Sequence, residues 1–225
     1  MSTPNSPRTF KLVSVNAGTS DPSSTQLLAD RIAERTISIG AGDDLIIELQ
    51  RIDLRGLAND ITSALISQHV SPELQRAFDL MRDADGVIAS TPVYKAGASA
   101  LFTEFFQLLD NDLLIGTPVA LAGTGGSPRH ALVIDDQLRG LFAYLRTLTT
   151  PTGIYASPDD WQEVTFTSRI DRVATELVVL MRNDVRGQLR GDAWKHYQHS
   201  FGSAGGTETE IDFDSDLMRL AAGGR

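Results

Sequence analysis

The segment FKLVSVNAGTSDPSSTQLLADRIAERTISI, residues 10–39, decides how the whole chain is read. Phe10 to Val15 is a short apolar run rich in β-branched residues. The polar stretch after it holds Gly18 and Pro22, so the two read as a strand and its exit loop. Leu27, Leu28, Ile32 and Ile39 then fall near helical spacing, with Ser23, Ser24 or Thr25 placed to cap the helix and GAGDD to close it. A helix start exposes unpaired N–H groups and about half a positive charge, so hydroxyls at Thr19, Ser23, Ser24 and Thr25 can cradle a phosphate without a lysine. The same residues also fit a plain N-cap followed by a solvated turn, and the segment alone leaves both open.

The pattern repeats downstream. Leu45 to Ile52 is a second apolar run, and the stretch DLRGLANDITSALISQHV after it has no definite reading. Ser71-Pro72-Glu73 opens a helix to about Arg82, because Ser caps, Pro fits the first helical position and Glu favours the positive end of the dipole. Asp85 to Thr91 is a third strand, ALFTEFFQLLD a third helix and TPVALAG a fourth strand. Ser127 and Pro128 open a long amphipathic helix in SPRHALVIDDQLRGLFAYLRTL. Thr152 to Ser157 is a fifth strand, and a last helix covers about Ser168 to Leu189. Continuous rather than alternating apolar runs mark parallel strands covered on both faces, so the expectation is an α/β, doubly wound open sheet. Ligands of such sheets sit outside the carboxyl ends of the strands, which singles out the loops after strands one, three and four.

Composition narrows the function. The chain has 225 residues and a formal net charge of -9, and it lacks the clustered Lys and Arg that a phosphate backbone requires, so no nucleic-acid partner is expected. The absence of cysteine removes disulfides, thiolate metal sites, Cys nucleophiles and iron–sulfur clusters. No stretch approaches the roughly 18 apolar residues of a membrane span, and a cytoplasmic, membrane-free protein is expected. The expected organisation is a flexible N-terminus over 1–9, one domain over 10–190, and a partly flexible tail over 191–225, where GSAGGTETEIDFDSD is rich in Gly, Thr and acid and LMRLAAGGR forms a short docking helix. No Walker sequence and no GxGxxG is present.

The third-strand loop, TPVYKAGAS from Thr91 to Ser99, offers a rigid Pro92, an amphipathic Tyr94 and a cationic Lys95. The fourth-strand loop, AGTGGSPRH, offers Gly123, Gly125 and Gly126 for close backbone approach to a planar ring. A phosphate cradle, an aromatic loop and a glycine loop at one sheet edge are what a flavin mononucleotide needs for its phosphate, its ring face and its pyrimidine edge. AGTSDPSSTQLL, TPVYKAG and GTGGSPRHALVIDDQLRGLFAYL together resemble the NADPH-dependent FMN reductase family of the flavodoxin-like superfold, closest to the branch that includes the alkanesulfonate-system FMN reductases. The resemblance implies a five-stranded parallel sheet of order 2-1-3-4-5, with FMN and NADPH or NADH as cofactors. It implies that Thr19, Ser23, Ser24, Thr25 and Gln26 hold the phosphate. The isoalloxazine would lie against Thr91, Pro92, Val93, Tyr94 and Lys95 and against Gly123, Thr124, Gly125 and Gly126. Relatives often carry an arginine in the phosphate loop; here there is none, and Asp21 is present, which fits weakly held, exchangeable flavin. A homodimer or tetramer is also implied, with Leu101, Phe102, Phe105 and Phe106 fitting either core or interface, as is a flavin-dependent monooxygenase partner.

Hydride transfer from a nicotinamide to flavin N5 needs stacking and alignment rather than a compulsory general base, so no catalytic side chain is expected. Asp135 and Asp136 are adjacent and point apart, His196 and His199 lack a carboxylate cluster, and no metal is expected. Arg129 faces either the NADPH phosphate or solvent, and His130 fits packing. Two further readings remain: a quinone, azo-compound or chromate reductase that retains its FMN, and a flavodoxin-like electron carrier without nicotinamide activity.

Overall fold

The computed structural model describes residues 8–190. The expected flexible N-terminus, the acid-rich tail with its docking helix, and His196 and His199 lie outside those residues, Arg8 and Thr9 excepted. Strand β1 (Thr9–Asn16) pairs in parallel with β2 (Ile46–Asp53) on one side and β3 (Gly86–Tyr94) on the other. β3 continues in parallel to β5 (Pro118–Thr124). The fifth strand is split. β6 (Leu148–Thr149) pairs with the start of β5, and β7 (Ile154–Ala156) pairs with its end, along the same edge. Counting that split strand once, the order is the expected 2-1-3-4-5. A two-residue strand β4 (Gly97–Ala98) folds back antiparallel on the end of β3.

Successive residues of β1 feed two separate cores, because neighbouring side chains point to opposite faces. Phe10 and Leu12 join Leu28 and Ile32 of α1 (Ser24–Gly42) and Ile170, Val173 and Leu177 of α6 (Val164–Arg182). Val13 and Val15 join the other face, under α2 (Ala58–Ser67), α3 (Pro72–Asp83), α4 (Ala100–Gln107) and α5 (Arg139–Tyr144). Phe102, Phe105 and Phe106 are all core, with Phe106 at 4.8 Å from Phe142. Each such buried ring contributes about 1.5–3 kcal/mol. Among the described residues no helix is long and apolar enough to cross a membrane.

Two expected elements differ, and one unread stretch is settled. The long helix after Pro128 is a 3-10 turn over Pro128–His130, a π-helical turn over Ile134–Leu138 and then α5. Its apolar residues keep helical spacing, but Ile134 wedges between Gly123 and Gly153, where a Cβ on either glycine would lie 2.5 Å from it, and the wide turn accommodates that wedge. The last helix starts at Val164 and stops at Arg182; Asp184 is left-handed, at φ 46°, and α7 (Val185–Leu189) follows. The unread stretch after β2 is a 3-10 turn, Leu54–Leu57, leading into α2.

Candidate active site

The parallel register sets Asn16 of β1, Ser90 of β3, Ala122 of β5 and Ile154 of β7 in one row across the sheet, and the loops beyond that row form its carboxyl edge. Asn16 starts the first loop by turning it. Its Oδ1 accepts the Gly18 N–H at 3.0 Å, while Ala17 N–H bonds Ser90 O at 3.0 Å. A Cβ on Gly18 would strike Ser23 Oγ, so glycine is required for the loop to fold back on the start of α1. Ser23 is the cap, accepting from Gln26 N–H at 3.2 Å. The N–H groups of Ser24 and Thr25 belong to the first turn, where no intrahelical acceptor exists. Thr19 and Ser24 are exposed and Gln26 is half-buried.

Thr25 is turned inward instead. Its hydroxyl bonds the hydroxyl of Thr124, at the end of β5, at 2.7 Å, with both residues buried. The first and third loops are therefore joined by one side-chain bond. The first and second are joined by a longer one, since Thr19 Oγ1 lies 3.5 Å from the Tyr94 hydroxyl.

The expected loop after strand three is a hairpin. β3 runs through Pro92 and Val93 to Tyr94, and Lys95 and Ala96 turn the chain at φ 51° and 62°. Two consecutive left-handed residues make the tight turn that suits twisted strands, and without glycine each costs about 1–2 kcal/mol. Gln137 offsets part of this by donating from Nε2 to Ala96 O at 2.8 Å. Thr91 faces inward: its hydroxyl donates to Pro92 O and accepts from Ser99 N–H, each at 3.0 Å, and Ser99 caps α4. Thr91 is thus a hairpin closure, whereas Tyr94 and Lys95 project into solvent.

In the third loop the glycines differ in what they do. A Cβ on Gly123 would meet Ile134, and one on Gly125 would strike the Tyr155 hydroxyl; these two make room for the protein's own side chains. A Cβ on Gly126 would meet nothing within 4 Å, so the space before it is free for a ligand. The Gly125 N–H is spent on Ala156 O at 3.1 Å, and Tyr155 donates to Ser127 O at 2.8 Å. Burial pushes the Tyr155 phenol up, against the opposing effect of that hydrogen bond. Tyr155 was not expected at the site. Its register opposite Gly123 is the signal: a large ring paired with a residue that has none.

Beyond β7, burial disfavours ionisation of Asp160, but hydrogen bonds from Ser157 N–H and Oγ at 2.7 and 2.6 Å and from Arg169 at 2.5 Å outweigh it, holding the carboxyl below the usual range. Asp135 is paired with Arg139 at 2.6 Å, and Arg139 also donates to Thr150 O and Pro151 O across the break in the fifth strand. A groove between α1 and α6 is lined by Arg31, Glu34 and Ser38 and crossed by the Arg35–Asp171 ion pair at 2.6 Å; it lies apart from the three loops.

A parallel sheet of this order with an open carboxyl edge and a capped first turn defines a flavodoxin-like α/β protein. The chain belongs to the NADPH-dependent FMN reductase family, whose model matches residues 10–162. It is 38% identical over 152 residues to FMN reductase (NADPH) of Pseudomonas aeruginosa, covering 68% of this chain and 79% of that one. It is 37% identical over 161 residues to the NADH-dependent FMN reductase SfnF of Pseudomonas fluorescens, covering 72% and 83%. An oxidoreductase structure from Corynebacterium diphtheriae superposes with a TM-score of 0.76 at 35% identity, over 78% of this chain and 98% of that one. The protein is an NAD(P)H-dependent FMN reductase.

Proposed function

We propose that the protein oxidises a nicotinamide at a flavin seated over the ends of β1, β3 and β5 and releases reduced FMN to a separate flavin-dependent monooxygenase. One observation carries this reading: the first loop has five hydroxyls, Thr19, Ser20, Ser23, Ser24 and Thr25, and two free first-turn N–H groups but no cation, and it carries Asp21, so the phosphate is bound by dipoles alone and the flavin exchanges. The absence of any atom within 4 Å of a Cβ built on Gly126 leaves room for a ring to approach that loop's backbone.

In this reading Thr19, Ser23, Ser24, Thr25 and Gln26 orient the phosphate, Ser23 and Thr25 doing so through backbone while their hydroxyls hold the loop. Pro92, Val93, Tyr94 and Lys95 form one wall, and Gly123, Thr124, Gly125 and Gly126 the other. Thr91 contributes by fixing the hairpin. When bound, the flavin supplies an N5 that accepts a hydride from nicotinamide C4, with one proton taken up from water. The chain supplies position. With the Gly125 N–H committed to Ala156, the Gly126 N–H is the donor left at the pyrimidine edge for the charge that develops there. No side chain need move a proton.

Purified protein should oxidise NAD(P)H at a rate that rises and saturates with added FMN, without any other acceptor. A rate indifferent to added FMN and dependent on a quinone would replace this with the retained-flavin reading, and no nicotinamide consumption at all would leave the electron carrier. Self-association follows from the same family likeness. Leu132 and Tyr144 are 74% and 62% exposed on the segment after the glycine loop, and sedimentation should find a dimer or tetramer.

A further inference from the structure

We propose that Arg129 recognises the 2′-phosphate of NADPH and thereby sets the choice between the two nicotinamide donors. This rests on the reading that a nicotinamide stacks on the open side of the flavin. The donors differ by one phosphate, so any discrimination must come from a group that touches it, and guanidinium matches a phosphate with two parallel N–H bonds.

Position comes first. Gly126, where a Cβ would meet no atom within 4 Å, is followed at once in the chain by Ser127 and the turn Pro128–His130, so a donor whose adenosine half leaves on this side would pass that turn. The turn is held still from below. Gly125 N–H bonds Ala156 O, Tyr155 bonds Ser127 O, and Ala131 N–H bonds Pro128 O at 3.0 Å. Arg129 stands exposed on this fixed support.

Availability comes second. Arg129 makes no hydrogen bond or ion pair among the described residues. Arg169 is committed to Asp160, Arg139 to Asp135 and Arg51 to Asp30, whereas Arg55 also has no side-chain partner among the described residues but follows β2, on the far side of β1 from the glycine loop. In a chain with nine more acids than bases, a cation without a carboxylate is not explained by a shortage of carboxylates. Lys95 is also uncommitted, but it sits at the hairpin tip against the proposed flavin ring and presents a point charge rather than a fork.

The test compares wild type, Arg129→Gln and Arg129→Lys at saturating FMN with each donor, and measures calorimetric binding of 2′,5′-ADP and of 5′-ADP. Arg129→Gln should lower kcat/KM for NADPH about tenfold through KM, the worth of a charge-assisted hydrogen bond, and leave NADH unchanged. Arg129→Lys should recover part of the loss. 2′,5′-ADP should bind the Gln variant about tenfold more weakly while 5′-ADP is unaffected. Equal losses with both donors, an unchanged donor ratio, or a wild type that prefers NADH would overturn the assignment. If neither donor were oxidised, the proposed function would fall, and the two nucleotides would still decide the role of Arg129.

Discussion

The two edges of the sheet are built on opposite principles. At the amino edge charges answer one another: Arg8 reaches both Asp85 and Asp184, Lys11 reaches Asp83, and Arg186 donates to the carbonyls of Ala84 and Arg82. Burial, with Arg190 beside it, pushes the Arg186 guanidinium down to about 10. At the carboxyl edge ion pairs such as Arg169–Asp160 flank the site, but the bonds that join the three loops to one another and hold the glycine loop are made by hydroxyls and a phenol, and Arg55, Lys95 and Arg129 have no side-chain partner among the described residues. One edge is closed on itself. The other keeps its donors for something that arrives.

Substitutions can break this contrast. The largest effect is expected from Gly125→Ala, whose methyl group competes with the Tyr155 hydroxyl for one volume; a displaced loop should cost about a hundredfold in kcat/KM. Gly126→Ala is its control: the melting temperature should hold, and FMN binding should weaken, because the methyl group meets only the ligand's space. At the other edge, Asp85→Ala removes acceptors for Lys11 N–H at 2.8 Å and for Arg8, and should cost about 1–3 kcal/mol in denaturant unfolding with kcat unchanged. A loss of kcat there would mean that the edges are not independent.

Thr25→Val leaves the Thr124 hydroxyl buried without its partner, so about 1 kcal/mol of stability should go, together with flavin affinity. The smallest effect concerns acid. The Asp160 carboxyl is held below its usual range when folded, against about 3.9 when unfolded, so its charge supports folding above about pH 4 and that support fades as pH falls through the folded value. Asp160→Asn should therefore be less stable than wild type at neutral pH, with the gap narrowing in acid unfolding curves.

The strands were legible because burial on both faces leaves an unbroken apolar run, as in Phe10 to Val15. The break in the fifth strand was not, since Thr150, Thr152 and Gly153 read as loop or strand alike, and what closes the gap comes from afar: Arg139 from one side and Glu176, bound to Thr152 at 2.7 Å, from the other. The π-helical turn escaped for a related reason, as an apolar period of four residues does not distinguish it from an α-helix. At the site, residue types signalled the three loops, but not which hydroxyls are spent. Thr25 and Thr91 look like ligands in sequence, and both are bonded inward. The hairpin at Lys95 and Ala96 lacks the Asn-Gly signature and depends on Gln137, more than forty positions away in the chain.

The indole of Trp161 stands in the turn beyond β7, its ring 5.4 Å from Phe166. Oxidised isoalloxazine absorbs where an indole emits, so a molecule of flavin settling nearby dims that fluorescence and its departure restores it. Titration with FMN should therefore quench the protein's indole emission, and a Trp194→Phe variant would assign the signal to Trp161.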